Sequence, residues 1–252
     1  AEEALGVEIE EQLTTDYAIA IEALVNANAT FSWFGGEGYT QAHARNDAVL
    51  PLVVDSGSSG TLDDAKYYSM IGTLVENEDD YKINGEFNLD TLRQKSFSFV
   101  SNSSTSGFRV PSSVISSHFS VESEELLEGG PDFVFGEVMF GGNHQGSFFN
   151  VLDGRADIGA FCNVCINDYV EWDRGQAGLD DPLPGDIITV LEGAEAPFDT
   201  VEGKQVVFVE TVPVLNAPLG VNSDLLTDEQ LQAVIDAFTS DETANNTAIF
   251  GA

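Results

Sequence analysis

The chain has 252 residues, 42% of them hydrophobic, and a formal net charge of -34 from 43 acidic against 9 basic side chains. That length and apolar content can fill one large core or two smaller ones, which excludes a disordered composition. So acidic a surface argues against nucleic acid or an anionic membrane as partner, and no run of about 20 apolar residues is present to insert directly into a bilayer.

From the N-terminus, Ala1 to Leu5 reads as the end of a helix and Val7 to Ile9 as a strand, so the chain is expected to begin inside a domain. Thr14-Thr15-Asp16-Tyr17 opens the next helix, with Thr15 as N-cap and Ala18, Ile21, Leu24 and Val25 at helical spacing. A strand from Ala29 to Phe34 stops at Gly35-Gly36-Glu37-Gly38, a sharp turn before a polar helix from Tyr39. Ala48 to Val54 is a further apolar strand, residues 55–60 a flexible turn, and Tyr67 to Val75 a strand suited to crossing between lobes. Strands and helices alternating at this length predict a parallel α/β sheet, whose ligands bind at the carboxyl ends of the strands. Glu76 to Asp90 is acidic loop, and a lobe boundary is expected near Arg93.

Phe97-Ser98-Phe99-Val100 reads as a buried strand and leads into Ser101-Asn102-Ser103-Ser104-Thr105-Ser106-Gly107-Phe108. Pro111 suits the first turn of the helix that follows, to Phe119. Glu122 to Gly130 is an acidic surface segment, and Phe133 to Phe140 leads to the turn Gly141-Gly142-Asn143 and a short helix from His144. Ala156 to Phe161 and Gln205 to Val212 are strands, and Asp168 to Gly185 is an acidic Gly/Pro-rich stretch. The last helix carries a capping box, Thr227-Asp228-Glu229-Gln230, with Leu231, Val234, Ile235 and Phe238 on one face.

Three features carry chemistry. Ser104, Thr105 and Ser106, followed by a Gly, stand at a strand-to-helix turn, where hydroxyls and the free N-H groups of a helix start converge on a volume suited to an oxyanion. A helix cap is the plainer explanation of the same residues. His144, placed at a helix start by a glycine turn, can donate to an oxyanion, and a bound anion would favour its charged form. Cys162 and Cys165 are the only cysteines, spaced C-x-x-C, and are open to three readings: a disulfide, a redox pair, or half of a metal site. Zinc would need two more ligands, and none shows the usual spacing. A Ser104/His144 hydrolase would need a Gly-x-Ser-x-Gly elbow and an ordered acid, which the sequence does not offer.

The Ser-Thr-Ser-Gly turn, Gly141 to Ser147, Asp153 to Ala160 and Pro213-Val214-Leu215-Asn216-Ala217-Pro218 occur in that order and together resemble the phosphonate and phosphite solute-binding receptors of bacterial ABC importers, over nearly the whole chain. The resemblance implies a two-lobed α/β fold of the type II periplasmic-binding class, each lobe a mostly parallel sheet flanked by helices. Residues 1–92 with 214–252 would form one lobe and 93–213 the other. It implies capture of phosphite, phosphonate or phosphate rather than catalysis, with no cofactor, an importer permease as partner, and a periplasmic or extracellular location with lipid anchoring left open. Ser104, Thr105, Ser106 and His144 would bind the anion, and closure would bring Tyr17, Tyr67 and Asn216. Of the adjacent pair Tyr67 and Tyr68, only one should reach the ligand, and Tyr67 is preferred. Glu37, Cys162 and Cys165 are further candidates. Relatives that bind aminoalkylphosphonates use acids where this chain has Phe161-Cys162-Asn163-Val164-Cys165, so an amine-bearing ligand is less favoured. Relatives also carry an earlier strand and a later segment, so a chain truncated at both ends is expected. The alternatives are a same-fold receptor for another small ligand, or a thiol-dependent or Ser/His enzyme.

Overall fold

The computed structural model describes residues 2–14, 16–57, 59–173 and 181–246. In chain order its elements are α1 (Glu2–Leu5), α2 (Tyr17–Val25), β1 (Phe31–Trp33), α3 (Gly36–Arg45), β2 (Val49–Val54), β3 (Lys66–Leu74), β4 (Lys82–Ile83), β5 (Glu86–Phe87), β6 (Ser96–Phe99), α4 (Val110–Phe119), β7 (Glu137–Phe140) and α5 (His144–Leu152). They continue with β8 (Ile158–Cys162), α6 (Asn163–Ile166), β9 (Val170–Asp173), β10 (Ile187–Val190), β11 (Gln205–Leu215), β12 (Pro218–Asn222), α7 (Asp228–Phe238) and α8 (Asp241–Ala244). The chain divides into two units, residues 1–65 with 216–252, and residues 66–215.

In the first unit β1, β12 and β2 form an antiparallel sheet, with Phe31 opposite Val221 and Val53 opposite Leu219. Ile21 and Leu24 of α2, Ala42 of α3, Phe34 and Val49 make its core. The cap of α2 is Asp16, whose Oδ1 accepts from the Ala18 N-H at 2.8 Å; Thr15, the expected cap, lies outside the described residues. Helix α3 starts at Gly36 rather than Tyr39, so the expected glycine turn is its first turn: a Cβ on Gly38 would stand 3.2 Å from the Phe34 Cβ, and glycine lets the helix close onto that ring. Val7 to Ile9 joins no strand; the Ile9 N-H donates instead to Glu2 Oε1 at 2.8 Å. The capping box on α7 forms as expected, Thr227 Oγ1 accepting from the Gln230 N-H and Gln230 Oε1 from the Thr227 N-H, and Val234 is buried.

The second unit is a seven-stranded sheet in the order β7-β6-β8-β3-β11-β10-β9. Successive strand residues point to opposite faces, and the two apolar clusters sort accordingly. Met70, Phe161, Val206 and Phe208 lie on one face with Phe148, Val151 and Leu152 of α5. Ile71, Phe97, Phe99, Ile158 and Ala160 lie on the other with Phe108 and Ile115. Phe97 is fully buried, its ring centroid 4.4 Å from Phe99 and 4.6 Å from Phe135.

Two expectations change. The sheets are not mostly parallel: only β6 pairs in parallel, with β7 and β8, and every other pairing in the two main sheets is antiparallel. Parallel neighbours need a crossover, and among the described residues of the second unit helices of nine or ten residues intervene between strands in the run β6-α4-β7-α5-β8 alone. The expected boundary at Arg93 also moves, because β3 is hydrogen-bonded to both β8 and β11 and carries residues 66–92 with the second unit.

Truncating Phe97 to Ala removes the ring that packs beneath the Ser104–Ser106 turn's strand, and the expected cost is about 3–5 kcal/mol, read as a lower urea midpoint for the variant.

Candidate oxyanion site

Because β7, β6 and β8 run in parallel side by side, their carboxyl ends share one edge of the sheet. The segments leaving that edge are the Ser101–Ser106 loop, the Gly141–Asn143 turn into α5, and the Cys162–Cys165 turn. Strand β3 runs antiparallel to β8 with Ser69 opposite Cys162, so Tyr67 lies just beyond the same edge.

At the first of these ends the chain turns through Ser104, which caps a wide helical turn over Thr105–Arg109 that continues into α4. The turn is of the π type, with the Arg109 N-H donating to the Ser104 carbonyl at 3.0 Å, a geometry found mostly as single turns at functional positions. Ser104 Oγ accepts from the Gly107 N-H at 3.1 Å. Gly107 has no room for a side chain: a Cβ would meet Val100 and come within 2.8 Å of Ser104 Oγ. The turn is tied to the sheet by Ser69, whose Oγ donates to the Ser106 carbonyl at 2.7 Å. Ser104 and Ser106 are buried and Thr105 half-buried.

At the second end Asn143 caps α5, its Oδ1 accepting from the Gly146 N-H at 2.7 Å, and His144 is the first helical residue. His144 Nε2 lies 3.4 Å from Ser104 Oγ, so the two candidate contacts meet. The ring is 8% exposed, and its Nδ1 has no hydrogen-bond partner among the described residues. Burial pushes the imidazole down from 6.5 to about 4. The His144 and Ser104 pair is therefore uncharged at pH 7: a neutral imidazole and a hydroxyl, with N-H groups at a helix start. Among the described residues no carboxylate holds Nδ1, the place that the third member of a hydrolytic triad would take.

At the third end Cys162 and Cys165 form a disulfide, which decides among the three readings of the C-x-x-C pair in this structure. One ring nitrogen of His144 and the two sulfurs lie within 4.8 Å of one another. Tyr67 packs with Cys162, Cys165, Val110 and Val214, whereas Tyr68 points into the opposite cluster with Met70 and Phe148. The sheet alternation thus puts Tyr67, not Tyr68, on the face that carries Ser69 and the cradle. Tyr67 was expected from the other lobe and instead belongs to the same unit as Ser104.

The remaining candidates lie in the first unit. Tyr17 is the half-buried first residue of α2. Glu37 sits in the first turn of α3, its Oε1 accepting from Gln41 Nε2 at 3.0 Å. Asn216 donates from Nδ2 to the Asp55 carbonyl and from its backbone N-H to the Ala65 carbonyl, each at 2.9 Å, which fixes the chain end of that unit. Ser69 escaped sequence reasoning, since a lone Ser in a strand gives no signal until its register with Cys162 is known.

The lowered pKa of His144 sets a pH dependence. The unfolded chain takes up a proton near 6.5 and the folded one only near 4, so the stabilisation is complete above about 6.5 and is lost as pH falls from there toward 4. The expected loss is about 2–4 kcal/mol, measured as the difference in urea stability between the unliganded wild type and His144→Asn at each pH.

The profile of the family described as ABC transporter, phosphonate, periplasmic substrate-binding protein matches residues 2–252. The phosphate-import protein PhnD of Mycolicibacterium smegmatis is 27% identical over 195 residues, which is 75% of this chain and 54% of that protein, so the chain spans about half the length of this curated relative. Among solved structures, PhnD1 of Prochlorococcus marinus in complex with methylphosphonate superposes with a TM-score of 0.66 at 16% identity, over all of this chain and 80% of that one. The binding-protein component of an ABC phosphonate transporter from Pseudomonas aeruginosa gives 0.63 at 16% identity, over 94% of this chain and 65% of that one. At such identity the structures speak for the fold, and the α/β fold of the type II periplasmic-binding class is the one observed.

Proposed function

The chain belongs to the family of phosphonate periplasmic substrate-binding proteins of ABC transporters, and from that premise we propose that it is the extracytoplasmic receptor of an importer, capturing a small phosphorus oxyanion. The observation that carries this reading is the meeting of the Ser104–Ser106 turn with His144 at the carboxyl edge of three parallel strands, Ser104 Oγ 3.4 Å from Nε2. Phosphate import is the printed function of the mycobacterial relative, and methylphosphonate is the ligand of the Prochlorococcus protein. Both ligands present the same tetrahedral face of acceptor oxygens, and the turn offers only donors to it.

The energies are adequate. About four charge-assisted hydrogen bonds at roughly 1.5–3 kcal/mol each give on the order of 6–12 kcal/mol, against ~8 kcal/mol for micromolar affinity. Capture rather than hydrolysis follows from the unpartnered Nδ1, which leaves His144 unfit to work as a triad base. Beside the cradle the disulfide packs with Tyr67, Val110 and Val214, an apolar wall that favours hydrogen, hydroxyl or methyl over an aminoalkyl substituent on phosphorus. A disulfide suits the extracytoplasmic side of the membrane, where the permease of the importer would receive the loaded protein.

Calorimetric titration with phosphite, phosphate, methylphosphonate, 2-aminoethylphosphonate and sulfate tests the proposal. One of the first three is expected to bind with one-to-one stoichiometry and without turnover, and more tightly than the last two. Ser104→Ala should weaken that binding by about tenfold or more through loss of a charge-assisted bond. Gly107→Ala should do the same without removing any donor, because its methyl would overlap Val100 and stand 2.8 Å from Ser104 Oγ, so the turn that carries the hydroxyl must shift. Heat from none of the five anions, or an affinity indifferent to both substitutions, would overturn the assignment.

A further inference from the structure

His144, Cys162 and Cys165 form a cluster that oxyanion capture does not use in full. The three ligand atoms lie within 4.8 Å of one another, Cys162 is fully buried, Cys165 is half-buried, and His144 keeps a buried nitrogen without a partner. We propose that, once the disulfide is reduced, the Cys162 and Cys165 thiolates and the His144 imidazole hold a single zinc ion, with a fourth position open to water or an anion.

The donor set is the chemistry zinc prefers: two thiolates and one imidazole, with the cysteines in the C-x-x-C spacing common to zinc sites. Their Cα atoms are 5.3 Å apart. Zn-S bonds of about 2.3 Å and Zn-N bonds of about 2.0–2.1 Å in a tetrahedron place ligand atoms roughly 3.5–3.8 Å apart. The cluster therefore needs only side-chain adjustment of about an ångström once the S-S bond no longer holds the sulfurs together. The surroundings already orient the ligands. With Nδ1 as the proposed ligand atom, Nε2 keeps the proton and Ser104 Oγ beside it can accept that proton, as in metal sites whose second nitrogen is hydrogen-bonded. Gln145 Nε2 donates to the Cys165 carbonyl at 2.9 Å, and Asn163 Oδ1 accepts from the Tyr68 N-H at 2.8 Å, which anchors the turn between the cysteines to its neighbours. Tyr67, Val110 and Val214 supply an apolar shell.

The conversion balances with a phosphine as reductant. Its electron pair cleaves the S-S bond, water supplies the oxygen that makes the phosphine oxide and the two protons that make the thiols, and zinc then displaces both thiol protons. The proposal is independent of the oxyanion reading, which concerns the oxidised, zinc-free protein.

The test uses the whole chain, reduced with a phosphine and desalted without air, in competition with a chromophoric zinc chelator. The reduced protein is expected to take one equivalent of zinc and the oxidised protein none. Cys165→Ser and His144→Ala should each weaken binding by at least about tenfold. X-ray absorption of zinc on the unmutated reduced protein reads the ligands directly, so the result does not depend on a variant that folds. Two sulfurs and an imidazole nitrogen in the zinc shell support the site. No uptake by the reduced protein, or a zinc shell without imidazole, would overturn it.

Discussion

Parallel pairing of β6 with β7 on one side and β8 on the other is the constraint on which the site depends. It is the only parallel part of an otherwise antiparallel sheet, and it is enforced by the two helices, α4 and α5, that return the chain after each strand. Three carboxyl ends then lie at one edge, so residues more than fifty positions apart in sequence, Ser104 and Cys162, become neighbours of the same histidine. The apolar rows along these strands pay for the arrangement: Phe97 and Phe99 bury against one helical layer, Phe161 against the other, while Ser98 between the phenylalanines accepts from Asn150 and Ser147 of α5. Those contacts give the buried Ser98 and Ser147 hydroxyls partners where α5 crosses the sheet, and they fix the helix whose first residue is His144.

The proposed anion capture meets an unusual electrostatic problem. A net charge of -34 opposes the approach of any phosphorus oxyanion, and burial keeps His144, which meets Ser104 at the cradle, neutral at pH 7. Attraction must come from oriented dipoles held in place before the ligand arrives, which cost no reorganisation and gain strength where water is excluded. Within about 10 Å, the Debye length at 0.1 M salt, these dipoles act; beyond it, salt screens the repulsion of the acidic surface. Added salt should therefore help encounter more than it weakens the short contacts. Preorganisation also explains why the Ser104 turn has so little slack: Gly107 permits the approach, Ser69 ties the Ser106 carbonyl, and the π turn sets the direction of the hydroxyls.

Much of this was legible in the sequence where a local rule sets local geometry. The Phe97–Val100 strand, the Ser-Thr-Ser-Gly turn, the helix start at His144 and the Thr227 capping box each follow from adjacent residues, and all form. Strand alternation says that only one of Tyr67 and Tyr68 can face the cradle, and Tyr67 is the one that packs with Cys162 and Cys165. What was not legible depends on partners distant in the chain. The antiparallel pairing of β3 with β11, which moves Tyr67 into the cradle's own unit, has no local signature. Strands β9 and β12 went unread because Val170 to Asp173 lies within an acidic stretch, and Pro218-Leu219-Gly220 holds a Pro and a Gly, residues that usually mark a turn. Val7 to Ile9 failed in the opposite sense: its alternation suits a strand, but no neighbour offers it a ladder.

His144 links the anion site to the sulfur pair, and linkage has a consequence for both. If His144 donates to an oxyanion through one nitrogen and ligates a metal through the other, any factor by which the bound metal changes anion affinity is the factor by which the bound anion changes metal affinity. With the disulfide intact, the second nitrogen is buried without a partner, a cost of about 1–3 kcal/mol that the folded protein carries. Zinc would relieve that cost and, its charge balanced by the two thiolates, would add an open coordination position rather than a net cation. The acidic surface that repels phosphorus oxyanions would attract the free metal ion. Under that proposal the same edge of the sheet has two states, one closed by the disulfide and one in which a metal holds the reduced sulfurs, and metal and anion respond in opposite ways to the same global charge.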